Sequence, residues 1–149
     1  MDELSAAVAA YRGCGTAGAR PSRQHEYADP DFWESRFQEQ EGTFDWYATY
    51  EQLGGVFQEF CPPTVDLRVL MVGCGNSSLS AELWQAGYRG LVNIDISQAA
   101  VTKMQQLYAN LDMEWHVMSA TAMEFASDSF GLAVDKGTLD AMMCRTGNP

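Results

Sequence analysis

Gly73-Cys74-Gly75 and Asp95 are the residues of this 149-residue chain whose types and spacing speak most directly of chemistry. Leu67 to Val72 is apolar and reads as a buried strand; the glycine turn follows, and a helical pattern begins at once. A second apolar run, Leu91-Val92-Asn93-Ile94, ends on Asp95, 22 positions after Gly73. Glycines let a backbone approach a ligand closely, and a helix start offers free N–H groups. An acid on the neighbouring strand end accepts hydrogen bonds from ribose hydroxyls. The same acid also suits capping of the helix expected near Ser97, and the two roles are compatible.

The turn departs from the dinucleotide fingerprint. A third glycine would fall at position 78, where the chain has Ser78, and that glycine permits tight helix–strand packing beside a pyrophosphate. No basic residue lies between Gly73 and Leu83, and no Gly-Lys-Ser/Thr phosphate loop occurs. A ligand with a ribose and no phosphate fits better, and S-adenosylmethionine is such a ligand.

In combination, several segments make the chain resemble the seven-stranded class I methyltransferases. They are Asp31-Phe32-Trp33-Glu34-Ser35-Arg36-Phe37, Phe44-Asp45-Trp46-Tyr47, Gly73 to Ser80, Asn93 to Ser97, Trp115 to Ala120, and Ser129-Phe130 followed by Asp135 to Ala141. More narrowly, it is similar to the branch that methylates lysines of elongation factor 1A, the methyltransferase-like 13 and elongation-factor-1A lysine methyltransferase 4 group. Carried over residue by residue, the resemblance implies cofactor contacts at Trp33, Phe37, Trp46, Gly73, Asp95, Ile96, Ser119, Ala120 and Lys136, with Gly75 completing the turn. Phe37 stands where relatives often carry Tyr, leaving ring packing alone. Ser119 stands where an acid is common, and Gly131 replaces the acid usual after the Ser-Phe pair. Lys136 is expected to meet the cofactor carboxylate, through its ammonium or through backbone.

These residues need elements to position them. Residues 1–24, with Gly13, Gly15, Gly18 and Pro21, read as a short helix and a flexible linker, and 25–149 as a partial methyltransferase domain. Asp29-Pro30-Asp31 reads as a helix start, with Phe32, Trp33 and Phe37 on one face. Glu51 to Phe60 reads as a second amphipathic helix with the stripe Leu53, Val56, Phe57 and Phe60. Between them lies an aromatic segment that either packs a helix onto a sheet or covers the cofactor, Trp33 and Trp46 keeping water out. Strand 67–72, helix 77–87, strand 91–95, helix 97–109, strand 113–118 and strand 130–134 follow. Such alternation predicts an α/β parallel sheet with right-handed crossovers. The resemblance implies that it is the Rossmann-like, doubly wound sheet of the methyltransferases, in the order 3-2-1-4 and cut short after the fourth of the family's seven strands. Strand 4 would then be an open edge, a route to self-association.

Asp135, at the end of that strand, is the candidate catalytic residue, expected to face the reacting space and orient the cofactor ammonium or receive a target lysine. The competing reading of Asp135 to Thr138 is a strand-to-helix turn with Thr138 as N-cap. A formal charge of −11 and pI near 4.4 argue against binding nucleic acid phosphates or an anionic membrane, and favour a basic protein partner or plain solubility. Cys14, Cys61, Cys74 and Cys144 are scattered without metal-ligand spacing, so reduced thiols in the cytoplasm are expected and zinc is not. No apolar run approaches the about 18 residues of a membrane span. The expected function is S-adenosylmethionine-dependent methylation of a protein lysine, on a basic factor such as elongation factor 1A. Alternatives are a catalytically silent cofactor-binding or interaction module, a small-molecule methyltransferase and, more distantly, a nicotinamide dehydrogenase.

Overall fold

The computed structural model describes residues 26–144. The expected flexible segment 1–24 and His25 lie outside the described residues. Helix α1 (Pro30–Glu39) starts as the sequence dictates: the Asp29 carboxylate accepts the Asp31 N–H at 3.0 Å, and Pro30 fills the first helical position. Helix α2 (Tyr50–Phe60) opens on a capping box between Thr49 and Gln52. Only half of its predicted stripe is used. Leu53 and Phe57 pack on the core, whereas Val56 and Phe60 are exposed, because one helix face alone meets the sheet layer.

Strands β1 (Arg68–Val72), β2 (Gly90–Asp95), β3 (Glu114–Val117) and β4 (Leu132–Asp135) form one parallel sheet in the predicted order β3-β2-β1-β4. Helix α3 (Leu79–Gln85) connects β1 to β2, α4 (Gln98–Leu107) connects β2 to β3, and α5 (Thr138–Met143) follows β4. Strand alternation divides the core. Val69, Met71 and Leu91 pack with Leu79, Leu83 and Tyr88 on one face. Leu70, Val92 and Ile94 form the other, covered by Phe125 and Phe130. Among the described residues β4 pairs only with β1, and Ala133 and Asp135 on it are exposed.

The register aligns the strand ends. Val72 lies opposite Ile94 on one side and Asp135 on the other, so the turns after β1, β2 and β4 emerge at one edge. Helix α3 begins at Leu79, two residues later than the pattern predicts, because positions 73–78 are taken by the turn. No described helix is long and apolar enough to cross a membrane.

Candidate functional site

The turn after β1 needs its glycines. Gly73 and Gly75 adopt φ of 61° and 51°, the left-handed region that side chains disfavour. A Cβ on Gly73 would stand 1.9 Å from the Thr138 hydroxyl, and one on Gly75 would meet the Phe37 ring at 3.1 Å. Asp95 locks this turn to the next strand. One carboxylate oxygen accepts the Gly75 N–H at 2.8 Å and the other the Ser97 N–H at 2.9 Å. The helix-start reading of Asp95 holds, and the same residue lines the cavity. Burial pushes its carboxyl above the usual range, against the N–H groups that pull it down. A carboxylate has about four acceptor sites, so these two N–H groups do not exhaust Asp95.

Above this wall lies a cavity of about 230 Å³, lined by every one of the ten cofactor positions read from the sequence. Its roof is aromatic. Trp33 is sandwiched between Tyr27 and Phe37 at ring-centroid distances of 5.7 Å each, and its indole N–H donates to the Tyr27 carbonyl at 2.7 Å. Trp46 stands edge-on to Trp33 at 6.2 Å, with the Arg36 guanidinium over its ring at 5.3 Å. Ile96 is exposed at the rim. Ser119 turns its hydroxyl toward Thr121 at 2.9 Å, beside Ala120.

The cap is tied down by charges that the sequence did not mark. Glu34 of α1 accepts the Ser97 hydroxyl at 2.7 Å and the Ala99 N–H at 3.1 Å, at the positive end of α4. Hydrogen bonds from Ser97 and Ala99 hold the Glu34 carboxyl below its usual range. Reciprocally, the Lys103 ammonium of α4 donates to the carbonyls of Phe37, Gln38 and Gln40 at the negative end of α1. Asp45 takes a third set of donors: the Ser77 hydroxyl, the Ser78 hydroxyl at 2.9 Å and the Lys136 ammonium at 2.8 Å. Burial pushes the Asp45 carboxyl up, but Lys136 and the two serines outweigh it and hold it below the carboxylate range. The one sequence hint was Ser78 standing where a dinucleotide site has glycine.

Two sequence readings of the turn after β4 are placed here. Asp135 is not among the described residues that line the cavity: its carboxylate is exposed and accepts the N–H groups of Gly137 and Leu139, both at 3.1 Å, securing the start of α5 as the strand-to-helix reading of this turn expects. Thr138 is not the N-cap. Gly137 holds that place at φ 105°, and the Thr138 hydroxyl turns back to the Val72 carbonyl at 2.9 Å. The exposed carboxylate that does line the cavity is Asp140, in the first turn of α5. Cys74 also lines it, but burial first and Asp95 second push its thiol well up, which suits packing rather than attack. Among the described residues no cluster of His, Cys, Asp and Glu could hold a metal.

A glycine turn, a strand-end acid in register with it and a covering aromatic cap coincide with a match to known proteins. Residues 69–145, just over half of the chain, match the methyltransferase domain family. The chain belongs to that family. This methyltransferase domain is 41% identical over 126 residues to the human (Homo sapiens) eEF1A lysine and N-terminal methyltransferase, covering 83% of this chain and 18% of that protein. It is 42% identical over 125 residues to the Drosophila melanogaster homolog of that enzyme, covering 82% of this chain and 18% of the homolog. To the mouse (Mus musculus) EEF1A lysine methyltransferase 4 it is 32% identical over 133 residues, 87% of this chain and 51% of that protein. The methyltransferase domain thus spans between about a fifth and about half of the length of these relatives.

Proposed function

We propose that this chain binds S-adenosylmethionine in the cavity and serves a protein-lysine N-methyltransferase acting on elongation factor 1A in the cytoplasm. The observation that carries the reading is the wall formed by Gly73, Gly75 and Asp95, roofed by Trp33, Phe37 and Trp46. Lys136, the one Lys or Arg among the described residues that line the cavity, is neutralised by Asp45. The site therefore offers little to a phosphate and suits a ribose-bearing ligand without one. The relatives' names supply the substrate class, and the net charge of −11 agrees with a basic partner rather than a nucleic acid.

When bound, S-adenosylmethionine supplies an electrophilic methyl group with its own leaving group, so the chain must bind, align and exclude water. Asp95 accepts the ribose hydroxyls. Gly73 and Gly75 let the turn pack against Thr138 and Phe37 and hold its backbone along the cavity wall, and the Trp33–Phe37 stack keeps the space dry. The Asp140 carboxylate, exposed in the cavity wall, attracts the target ammonium before it loses its proton. A second reading, a cofactor-binding module without turnover, draws support from Asp135 being occupied at the helix start. Among the described residues the outer edge of β4 is unpaired and offers a route to self-association, which light scattering checks directly.

Calorimetry with S-adenosylmethionine, S-adenosylhomocysteine and NAD tests the ligand class. Heat is expected with the first two and none with NAD; heat from NAD alone would end the reading. Incubation with labelled cofactor and elongation factor 1A then separates the enzyme from the silent module.

A further inference from the structure

The methyl-transfer reading uses Asp45 only to neutralise Lys136, yet it is among the most elaborately held carboxylates of the described chain. Its side chain is 10% exposed, and its donors come from two distant places: Ser77 and Ser78 before α3, and Lys136 after β4. Lys136 in turn donates to the Trp46 carbonyl at 3.0 Å, so one buried ion pair joins the aromatic segment, the glycine turn and the end of β4. The residue two further on, Tyr47, is held at φ 65°, in the left-handed region, with its ring against Gly137, where an added Cβ would stand 2.8 Å from Cε2. A bulky side chain keeps such a backbone only where its surroundings over-determine it.

We propose that Asp45 is a positioning residue: by clamping Lys136 against Trp46, it presets the aromatic cap over the glycine turn before the ligand arrives. This rests on the cofactor reading above. Preorganisation raises affinity by removing the cost of ordering the roof on binding. It also gives Lys136 a role its neutralised ammonium could not fill as a free anchor for an anionic group.

The test uses the full chain, S-adenosylhomocysteine as probe, calorimetry and tryptophan emission. Asp45→Asn is expected to bind about tenfold more weakly and to lose the emission change that ligand causes through Trp33 and Trp46. Asp45→Glu, which keeps the charge, is expected to recover most of both. Lys136→Met is expected to match Asp45→Asn, and the double variant to be no weaker than the weaker single, because the two share one clamp. If Asp45→Asn fails to fold with Lys136 left unpaired, the double variant removes both charges and carries the test. A lowered melting temperature with wild-type affinity and emission would make Asp45 merely structural and overturn the proposal. Failure of the wild-type chain to bind S-adenosylhomocysteine would instead overturn the cofactor reading beneath it.

Discussion

The floor and the roof of the cavity are built on different principles. The floor is backbone: strand ends in register, two glycines at positive φ and one carboxylate bonded to main-chain N–H groups. The roof is side chain: stacked rings carried on α1 and the 40–49 connection, fastened by Glu34, Lys103 and Asp45 to elements 32 to 91 residues away. A backbone floor is rigid and intolerant of atoms. A roof held by separate polar fasteners yields one fastener at a time.

The sharpest way to break that contrast is a matched pair of glycines. Gly73→Ala puts a Cβ 1.9 Å from the Thr138 hydroxyl at φ 61°, and a loss of about 3 kcal/mol is expected from overpacking plus backbone strain. Gly42→Ala, in the roof connection, has a similar φ of 74° but nothing within 4 Å, so strain alone should cost about 1 kcal/mol. Urea midpoints measure both; equal losses would dissolve the distinction. Next in size is Asp95→Ala, expected to weaken S-adenosylhomocysteine binding by about 1–3 kcal/mol through lost charge-assisted hydrogen bonds. Unchanged affinity by calorimetry would remove Asp95 from the ribose site.

The same contrast explains what could be read in the sequence. The floor is local: strand, glycine turn, helix and acid fall between Leu67 and Ser97, and their periods and punctuation announce these elements before any coordinates exist, while the strand order came with the family resemblance. The start of α1 was equally plain from Asp29-Pro30. The fasteners were not legible, because a surface-looking Glu34 or Lys103 acquires its meaning only from a helix end brought beside it by the fold. Asp45 looked like one acid among aromatics, and its partner Lys136 lies 91 positions away. Asp135 shows the opposite. Its position at a strand end was plain in the sequence, but only the fold shows that the N–H groups of Gly137 and Leu139 hold its carboxylate.

Acidification should separate floor from roof more gently than mutation. The Asp95 carboxyl sits above the usual range because burial disfavours its charge, so it takes up a proton first as pH falls. Glu34 and Asp45 sit below their usual range, so the stability they contribute is complete above the ordinary carboxyl values and lost only as pH drops through the lowered ones. Ligand affinity should therefore decline while the melting temperature still holds, and the roof should loosen at lower pH. Parallel calorimetry and thermal melts from neutral pH downward check the order, and a melting temperature that falls before affinity would reverse it.

The smallest effects belong to the two fasteners between α1 and α4, and acid separates them because the Glu34 carboxyl loses its charge as pH falls through its lowered value. Lys103→Met removes a cation from the negative end of α1 and leaves three carbonyls to water, a loss of about 1 kcal/mol. Glu34→Gln removes the anion from the positive end of α4, about 0.5 kcal/mol at neutral pH. Its difference from wild type should be complete above the ordinary value of 4.5 and should close as pH falls through the lowered Glu34 value, where the wild-type side chain is itself neutral. Both differences should shrink in about 1 M salt, because both groups are open to solvent. A Glu34→Gln deficit that persists at low pH would mean that the contact is one of shape rather than charge, and that the roof resembles the floor more than its bonding pattern implies.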